Sequence, residues 1–260
     1  MVRRMATVML GVIGLAAPAL VHAGPAQAAA IHDLRGHFAA FTLINTIDNP
    51  DMRPGTLDIT AQLGSVVAGR ADLGGRSGAV AGTVSSTDEV NLVGLGGPDT
   101  FSVRGHIAHP GDLVPCIFEG GYRAADGDGH VVAVHQVPVT GAPSIGGAWT
   151  GAIGDPGIRG QLTATFTQSR TGALTGRIEV RLFNPQPDPP GFQLTIAGQT
   201  AWDGSQAAYL VVGGAQAALT TLELHPGHAA DGTRTLGGPL RLIHADGTVQ
   251  DATIELRPEG

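Results

Sequence analysis

Residues 160–179, GQLTATFTQSRTGALTGRIE, show the pattern that decides the fold. In the first arm Leu162, Ala164 and Phe166 alternate with polar residues, and the second arm alternates in the same way. Successive side chains of a strand point to opposite faces, so this period of two predicts a half-buried strand in each arm. Gly172 falls between the arms, where a turn needs a positive φ that glycine adopts at little cost. The stretch therefore predicts a β-hairpin.

The same hairpin pattern occurs earlier in the chain, in residues 55–73, GTLDITAQLGSVVAGRADL. Within it VAGRADL (67–73) aligns with LTGRIEV (174–180). Further short matches follow in the same order: Gly36-His37-Phe38 with Gly147-Ala148-Trp149, Ala81-Gly82 with Ala197-Gly198, and His109-Pro110-Gly111 with His225-Pro226-Gly227. Matches in a shared order along the chain indicate a tandem duplication.

Each half of the chain is predicted to contain eight short strands. In the first half they lie near 36–44, 55–63, 66–73, 78–84, 90–95, 100–108, 114–124 and 129–137. In the second half they lie near 147–153, 160–168, 173–182, 192–200, 206–212, 217–224, 234–244 and 248–257. The 40 glycines and the low aromatic content of 4% suit many short strands joined by glycine-rich turns.

Eight strands in sequence predict an antiparallel meander that closes on itself, because closure removes the exposed edge strands. The predicted fold class is all-β, with two tandem eight-stranded antiparallel meander β-barrels or barrel-like sandwiches. The expected division is a signal peptide at 1–28, a first barrel at 31–138, a linker at 139–146 and a second barrel at 147–258.

The N-terminal segment has the composition of an export signal. Arg3 and Arg4 precede an apolar run from Met5 to Val21, and small residues suitable for cleavage follow at Ala23 and Ala28. A transmembrane anchor is the alternative, but the run is shorter than the ~20 residues that a span requires. We therefore expect a secreted or periplasmic protein with no membrane insertion after signal cleavage.

The charge and the cysteine content limit the classes of partner. Cleavage of the signal peptide would remove Arg3 and Arg4. The mature chain would then have 13 basic residues, all arginine, against 22 acidic residues, a net charge of −9. A net-acidic surface disfavours nucleic acid and anionic membranes. Cys116 is the single cysteine, so it is interpreted as a small buried apolar residue or as the site of an intermolecular disulfide.

The start of the second half resembles the calycin barrels, the lipocalins and avidins, on Gly147-Ala148-Trp149 followed by a strand meander. The segment from Gly172 to Gly176 is similar to the second hairpin of the avidins. The resemblance implies a barrel, but it does not imply biotin binding. Gly151 stands at the family's biotin-contacting polar position, and its several pocket tryptophans are reduced to Trp202 at most.

Residues 183–192, FNPQPDPPGF, form the most unusual segment, because four prolines stiffen the backbone toward polyproline II. We interpret it as a recognition loop at one mouth of the second barrel. The alternative is a stiff connection whose phenylalanines plug the barrel end. The candidate ligand- or partner-binding residues are those of this loop and the nearby tryptophan: Phe183, Asn184, Gln186, Asp188, Phe192 and Trp202.

Histidines occur in two His-x-x-His pairs, His106/His109 and His225/His228, beside Pro-Gly dipeptides. The spacing can hold zinc on a helix, but these pairs fall at predicted strand ends without a third ligand, so they are interpreted as solvated turn residues. Three Asp-Gly dipeptides are interpreted as hairpin turns: Asp126-Gly127, Asp231-Gly232 and Asp246-Gly247.

Acidic residues give no catalytic arrangement in the sequence. Glu119, Glu179 and Glu223 cannot be paired with one another, and Glu179 is predicted to alternate with Arg177 and Arg181 on a solvent face. No nucleophile elbow or phosphate loop is present. We therefore expect no catalytic residues, no metal and no cofactor.

The leading hypothesis is a secreted, non-enzymatic protein that binds an unknown small molecule or an extracellular protein. The alternatives are a secreted metal-dependent hydrolase that uses the histidine pairs, and a structural envelope protein.

Cleavage of the signal is directly testable. Protein recovered from the culture medium or the periplasm should begin at Gly24 or Ala29, because small residues occupy the positions that signal peptidase reads at both sites. N-terminal sequencing measures this. An uncleaved N-terminus held in the membrane fraction would contradict it.

Overall fold

The computed structural model describes residues 31–45, 50–95, 100–108, 116–139, 141, 144–154, 159–182, 192–200, 208–214 and 218–259. In this part of the chain all regular structure is β, and the strands form two closed antiparallel barrels of eight strands each. The predicted fold class is confirmed. A search of the same residues finds no helix long and apolar enough to cross a membrane.

Both barrels are meanders, in which each strand pairs with the next and the last strand closes on the first. The strands of the first barrel are β1 (Gly36–Asn45), β2 (Pro50–Leu63), β3 (Val66–Leu73), β4 (Arg76–Val84), β5 (Glu89–Leu95), β6 (Phe101–Ile107), β7 (Ile117–Ala124) and β8 (Gly127–Gln136). Those of the second barrel are β9 (Gly147–Gly154), β10 (Arg159–Gln168), β11 (Ala173–Leu182), β12 (Phe192–Thr200), β13 (Ala208–Gly214), β14 (Ala218–His228), β15 (Arg234–His244) and β16 (Val249–Pro258).

The hairpin of β10 and β11 forms as predicted, with Leu162 opposite Val180. Gly172 lies in its turn at a φ of +82°, in the left-handed region that favours glycine. Ser169 holds the turn, because its hydroxyl oxygen accepts a hydrogen bond from the Ala173 amide at 3.0 Å. The three Asp-Gly dipeptides also lie in hairpin turns, as predicted.

Two strands are longer than the sequence pattern indicates. β2 begins at Pro50 rather than near 55, because its first residues continue the pairing with β1 as far as Asn45. β14 extends to His228 rather than ending near 224. Its extra residues pair with the start of β15, and the chain reverses only at Asp231-Gly232.

The described interior of each barrel is filled by inward-pointing apolar side chains. In the first barrel they include Phe38, Ile44, Phe101 and Tyr122. The space left beside Phe38 is about 10 Å³ and is lined entirely by apolar residues. A space of this size holds at most about one water molecule. In the second barrel the interior side chains are equally buried: Trp149, Ile153, Leu162, Phe166, Leu174, Ile178, Ile196, Leu210, Leu222, Leu236, Ile254 and Leu256 are among them.

One end of each barrel carries the same arrangement. The residue two positions before the first strand, Leu34 in the first barrel and Ile145 in the second, is buried. Its backbone amide donates to a glutamine side chain at 2.8 Å, from Leu34 to Gln62 and from Ile145 to Gln168. Each glutamine thus satisfies a backbone donor that would otherwise be left unpaired near the core. An apolar side chain held in this way closes the barrel end.

Glycines in the strands allow neighbouring strands to approach closely where the barrels curve. A methyl group at Gly176 of β11 would overlap the carbonyl oxygen of Thr165 in β10, and one at Gly69 of β3 would overlap that of Asp58 in β2. These two glycines align in the paired segments 67–73 and 174–180. Tight curvature at a glycine is a common way to close a small barrel.

The two barrels pack against each other through apolar residues on their outer walls. Strands β1 and β8 of the first barrel contact β12, β13 and β14 of the second. The buried side chains of this interface are Phe41, Leu43, Ile117, Val132, Val134, Tyr209, Val211, Leu219 and Ile243. Polar contacts cross at its edge, where the Asn45 amide donates to the carbonyl oxygen of Ala245.

Substitution of Gly176 by alanine should reduce the free energy of unfolding by about 1–3 kcal/mol, because the added methyl group collides with the backbone of β10. Thermal and chemical denaturation of the mature protein measure the change. The matched control is Gly154→Ala in β9, where the nearest atom to the new methyl group would be Thr253 Oγ1 at 3.9 Å. Equal stability of the two variants would contradict the prediction.

Candidate ligand site between the barrels

A cleft of about 250 Å³ lies at the edge of the inter-barrel interface. The first barrel contributes residues of β6 and β7 and the second barrel contributes residues of β14, β15 and β16. Its lining residues are His106, Ala108, Ile117, Glu119, Thr221, Leu222, Glu223, Pro239, Arg241 and Asp251. We call this the inter-barrel cleft. It combines an apolar floor with several ionisable side chains, which is the usual composition of a small-molecule site.

Glu119 is the most buried charged group of the inter-barrel cleft, with its side chain only 8% exposed. It lies on the outer wall of β7, where the register places it between His106 of β6 and Val132 of β8. Its Oε1 accepts a hydrogen bond from Thr221 Oγ1 of the second barrel at 3.1 Å. The carboxylate is therefore held by a residue 102 positions further along the chain.

The second oxygen of Glu119 is held less well. Nε of Arg241 lies 3.7 Å from Oε2, a distance that gives Coulomb attraction but no hydrogen bond. Within the described residues no donor hydrogen-bonds to Oε2. Oε2 is not among the fully buried side-chain atoms that lack a partner, so it reaches the cleft, where water or a ligand can donate to it.

Glu223 is a second acidic group of the cleft, and its side chain is 19% exposed. Its Oε1 lies 2.9 Å from Nε2 of His225 and accepts a hydrogen bond from the Tyr209 hydroxyl at 3.3 Å. Tyr209 is directly opposite Glu223 in the pairing of β13 with β14. Glu223 is thus fixed in position from two sides.

The outer edge of the cleft is a row of cross-strand neighbours. Thr221 of β14 lies opposite Arg241 of β15, which lies opposite Asp251 of β16. The side chain of Arg241 is 46% exposed, so it lies partly in solvent. With three carboxylates against one guanidinium, the lining is acidic overall.

The histidine pairs were predicted to lie at strand ends and were interpreted as turn residues. His106 and His228 do lie at strand ends, whereas His225 lies inside a strand rather than in a turn. The Pro-Gly dipeptide that follows His225 also lies within β14. The physical reason is that the pairing of β14 with β15 continues beyond the Pro-Gly dipeptide, which sequence rules assign to a turn. His109 is outside the described residues.

The sequence-predicted binding residues stay a prediction. Phe183, Asn184, Gln186, Asp188 and Trp202 lie outside the described residues. Phe192 begins β12, but nothing is described of its side chain. The recognition-loop hypothesis and the barrel-plug alternative therefore both stand as stated.

Sequence reasoning missed the residues of the inter-barrel cleft because they are far apart in the chain. One signal was available: residues 131–134 and 208–212 are continuous apolar runs with almost no alternation. A strand of this kind is buried on both faces, which indicates that the outer wall of each barrel packs against something. Of the three acids that sequence could not pair, Glu119 and Glu223 meet in the cleft. Glu179 makes an exposed ion pair with Arg181 at 2.9 Å, as predicted.

The geometry bears on two alternatives from the sequence, metal binding by the histidine pairs and an intermolecular disulfide at Cys116. Within the described ranges, no group of three or more His, Cys, Asp or Glu side chains is close enough to hold a metal ion. Cys116 is fully buried, and burial raises the pKa of its thiol to about 12. A thiol with such a pKa is almost wholly protonated and unreactive, which favours the buried apolar role over an intermolecular disulfide.

Comparison with known proteins adds little. No protein-family model matches the chain, and no curated protein matches its sequence. Among solved structures, the chain is similar to a protein of unknown function from the DUF3598 family of Nostoc punctiforme, with 8% sequence identity and a TM-score of 0.27. The alignment covers 87% of this chain and 96% of that chain. We base neither fold nor function on a similarity at this level.

Replacement of Thr221 by valine should destabilise the protein by about 1.5–3 kcal/mol, because buried Glu119 loses its hydrogen-bond donor. Calorimetric unfolding measures the loss. The control is Thr253→Val, which removes an exposed hydroxyl bonded to Gly154 and should change stability by less than about 0.5 kcal/mol. An unchanged melting temperature for Thr221→Val would show that Glu119 does not depend on this contact.

Proposed function

We propose that this protein is an exported, non-enzymatic binding protein, with two calycin-like barrels derived by internal duplication, that holds a small polar molecule in the inter-barrel cleft. The observation that carries the proposal is the contrast between the filled interior of the first barrel and the open cleft. About 10 Å³ is free beside Phe38, whereas the cleft measures about 250 Å³. A ligand of metabolite size therefore finds room between the barrels and not beside the core.

The chemistry of the cleft supports the same proposal. Ligand sites combine apolar surface with a few fixed polar groups that orient the ligand. Glu119 is fixed by Thr221, and Glu223 is fixed by His225 and Tyr209. The walls come from two barrels that an apolar interface holds together, so the site is formed before any ligand arrives. Preformed sites avoid the entropic cost of ordering on binding.

A second depression of about 240 Å³ lies on the outer wall of the second barrel, near Glu179 and Arg181. Those two side chains are an ion pair in which Arg181 is 54% exposed, and exposed pairs contribute little energy. The inter-barrel cleft is the better candidate because its carboxylate is buried.

A hydrolase is the alternative that one observation favours, because His106 lines the same cleft as Glu119 and Glu223. A histidine beside carboxylates is a common acid–base arrangement. Binding is preferred because the described residues hold no metal-binding group of three, which the metal-dependent form of that hypothesis requires. Binding of an extracellular protein is the hypothesis for the proline-rich segment at residues 183–192, most of which lies outside the described residues.

The proposal can be tested with a panel of small polar compounds and apolar probes such as palmitate, by native mass spectrometry and thermal shift. We expect at least one small polar compound to bind the mature protein at one to one and raise its melting temperature. Asp251→Trp, at the edge of the cleft, should abolish this binding by obstruction. The control Glu255→Trp, exposed on the same strand, should bind normally.

Three results would contradict the proposal. Stoichiometric binding of palmitate that survives Asp251→Trp would place the ligand inside a barrel. Failure of every small polar compound to bind would remove the proposed site. Stoichiometric zinc in the purified protein would favour the hydrolase.

A further inference from the structure

We infer that the inter-barrel cleft selects a small organic cation, an amine or guanidinium compound, which donates its hydrogen bonds to Glu119 and Glu223. This inference rests on the proposed function and names the chemical class of its ligand.

The first argument concerns an acceptor oxygen that faces the cleft and receives no hydrogen bond from the described residues. Glu119 is nine-tenths buried, yet only Oε1 receives a hydrogen bond from the described residues. Oε2 has the Arg241 guanidinium at 3.7 Å, beyond hydrogen-bond distance. A ligand that carries N–H donors and a positive charge would give Oε2 both a hydrogen bond and an opposite charge. Such charge-assisted hydrogen bonds are stronger than neutral ones.

The second argument is the sign of the charge. Glu119, Glu223 and Asp251 line the cleft against Arg241 alone, and the whole chain carries a net charge of −7. This field attracts cations and repels anions as they approach. An anionic ligand would have to displace or outweigh the buried carboxylate, whereas a cation complements it.

The third argument concerns Arg241 itself. Its guanidinium is 46% exposed and touches Glu119 only loosely, so it acts as a weak internal competitor for the carboxylate. An entering cation can take its place while Arg241 turns toward solvent. Asp251, directly opposite on β16, lies at the position where a displaced guanidinium finds a second acidic neighbour.

The test uses three probes of equal length and different charge: butylguanidinium, butylurea and valerate. Isothermal titration calorimetry on the mature protein should show butylguanidinium binding at least about ten-fold more tightly than either of the others. Glu119→Gln keeps an oxygen for Thr221 but removes the charge, and it should weaken the cation at least about ten-fold. Arg241→Gln should tighten cation binding, since it removes the competitor for Glu119.

A matched pair of variants on the outer wall of the second barrel provides the control. Glu179→Gln and Arg181→Gln remove the same charges from an exposed ion pair outside the cleft, and neither should change butylguanidinium binding. Glu223→Gln repeats the test at the second carboxylate, so that the inference does not depend on Glu119→Gln folding normally. Circular dichroism confirms the fold of each variant.

The results separate this inference from the proposed function. Tightest binding of valerate, or cation binding that Glu119→Gln and Glu223→Gln leave unchanged, would overturn the cation assignment. If another polar compound of the panel still binds and Asp251→Trp abolishes it, the proposed function stands with a different ligand class. If neither the three probes nor the panel bind, both fail.

Discussion

The arrangement of this molecule depends on a few strands that must bury both of their faces. In β1 and β8, alternate side chains point into the first barrel. The side chains between them lie on its outer wall, where the second barrel buries them. Phe41, Leu43, Val132 and Val134 are the residues covered in this way. Burial of such side chains stabilises by about 1.5–3 kcal/mol each. The apolar contact thus joins the two barrels and fixes the relative positions of the side chains that line the cleft at its edge.

The inter-barrel cleft is a consequence of that contact. Two convex barrels can touch along only a limited area, so their walls diverge at the edge and leave a space. At this edge the exposed face of β7 would ordinarily carry a solvated residue, and Glu119 is that residue. The second barrel buries it and supplies Thr221 as its donor. Glu119 is therefore held in place by a contact that exists only because the two barrels meet.

The two barrels also show how a small barrel is closed. Leu34 and Ile145 enter the barrel end just before the first strand, and Gln62 and Gln168 receive their backbone amides. Gln62 pairs with Val67, and Gln168 pairs with Leu174, which are aligned positions of the two hairpins. Closure of the end and the apolar side chains of the core leave about 10 Å³ free beside Phe38 in the first barrel, whereas the inter-barrel cleft measures about 250 Å³.

Much of the fold was determined by local sequence. Alternation in residues 160–179 fixed strands β10 and β11, and Gly172 fixed their turn, because strand period and positive φ are properties of neighbouring residues. The long extension of β14 past Pro226 was not predictable in this way, since the pairing partner in β15 decided it. The candidate site was decided by tertiary structure alone. Glu119 and Thr221 lie 102 residues apart in different barrels, and no local rule states which outer faces of two barrels will meet. That choice depends on the packing of whole surfaces, and the sequence indicates it only through apolar runs such as residues 131–134.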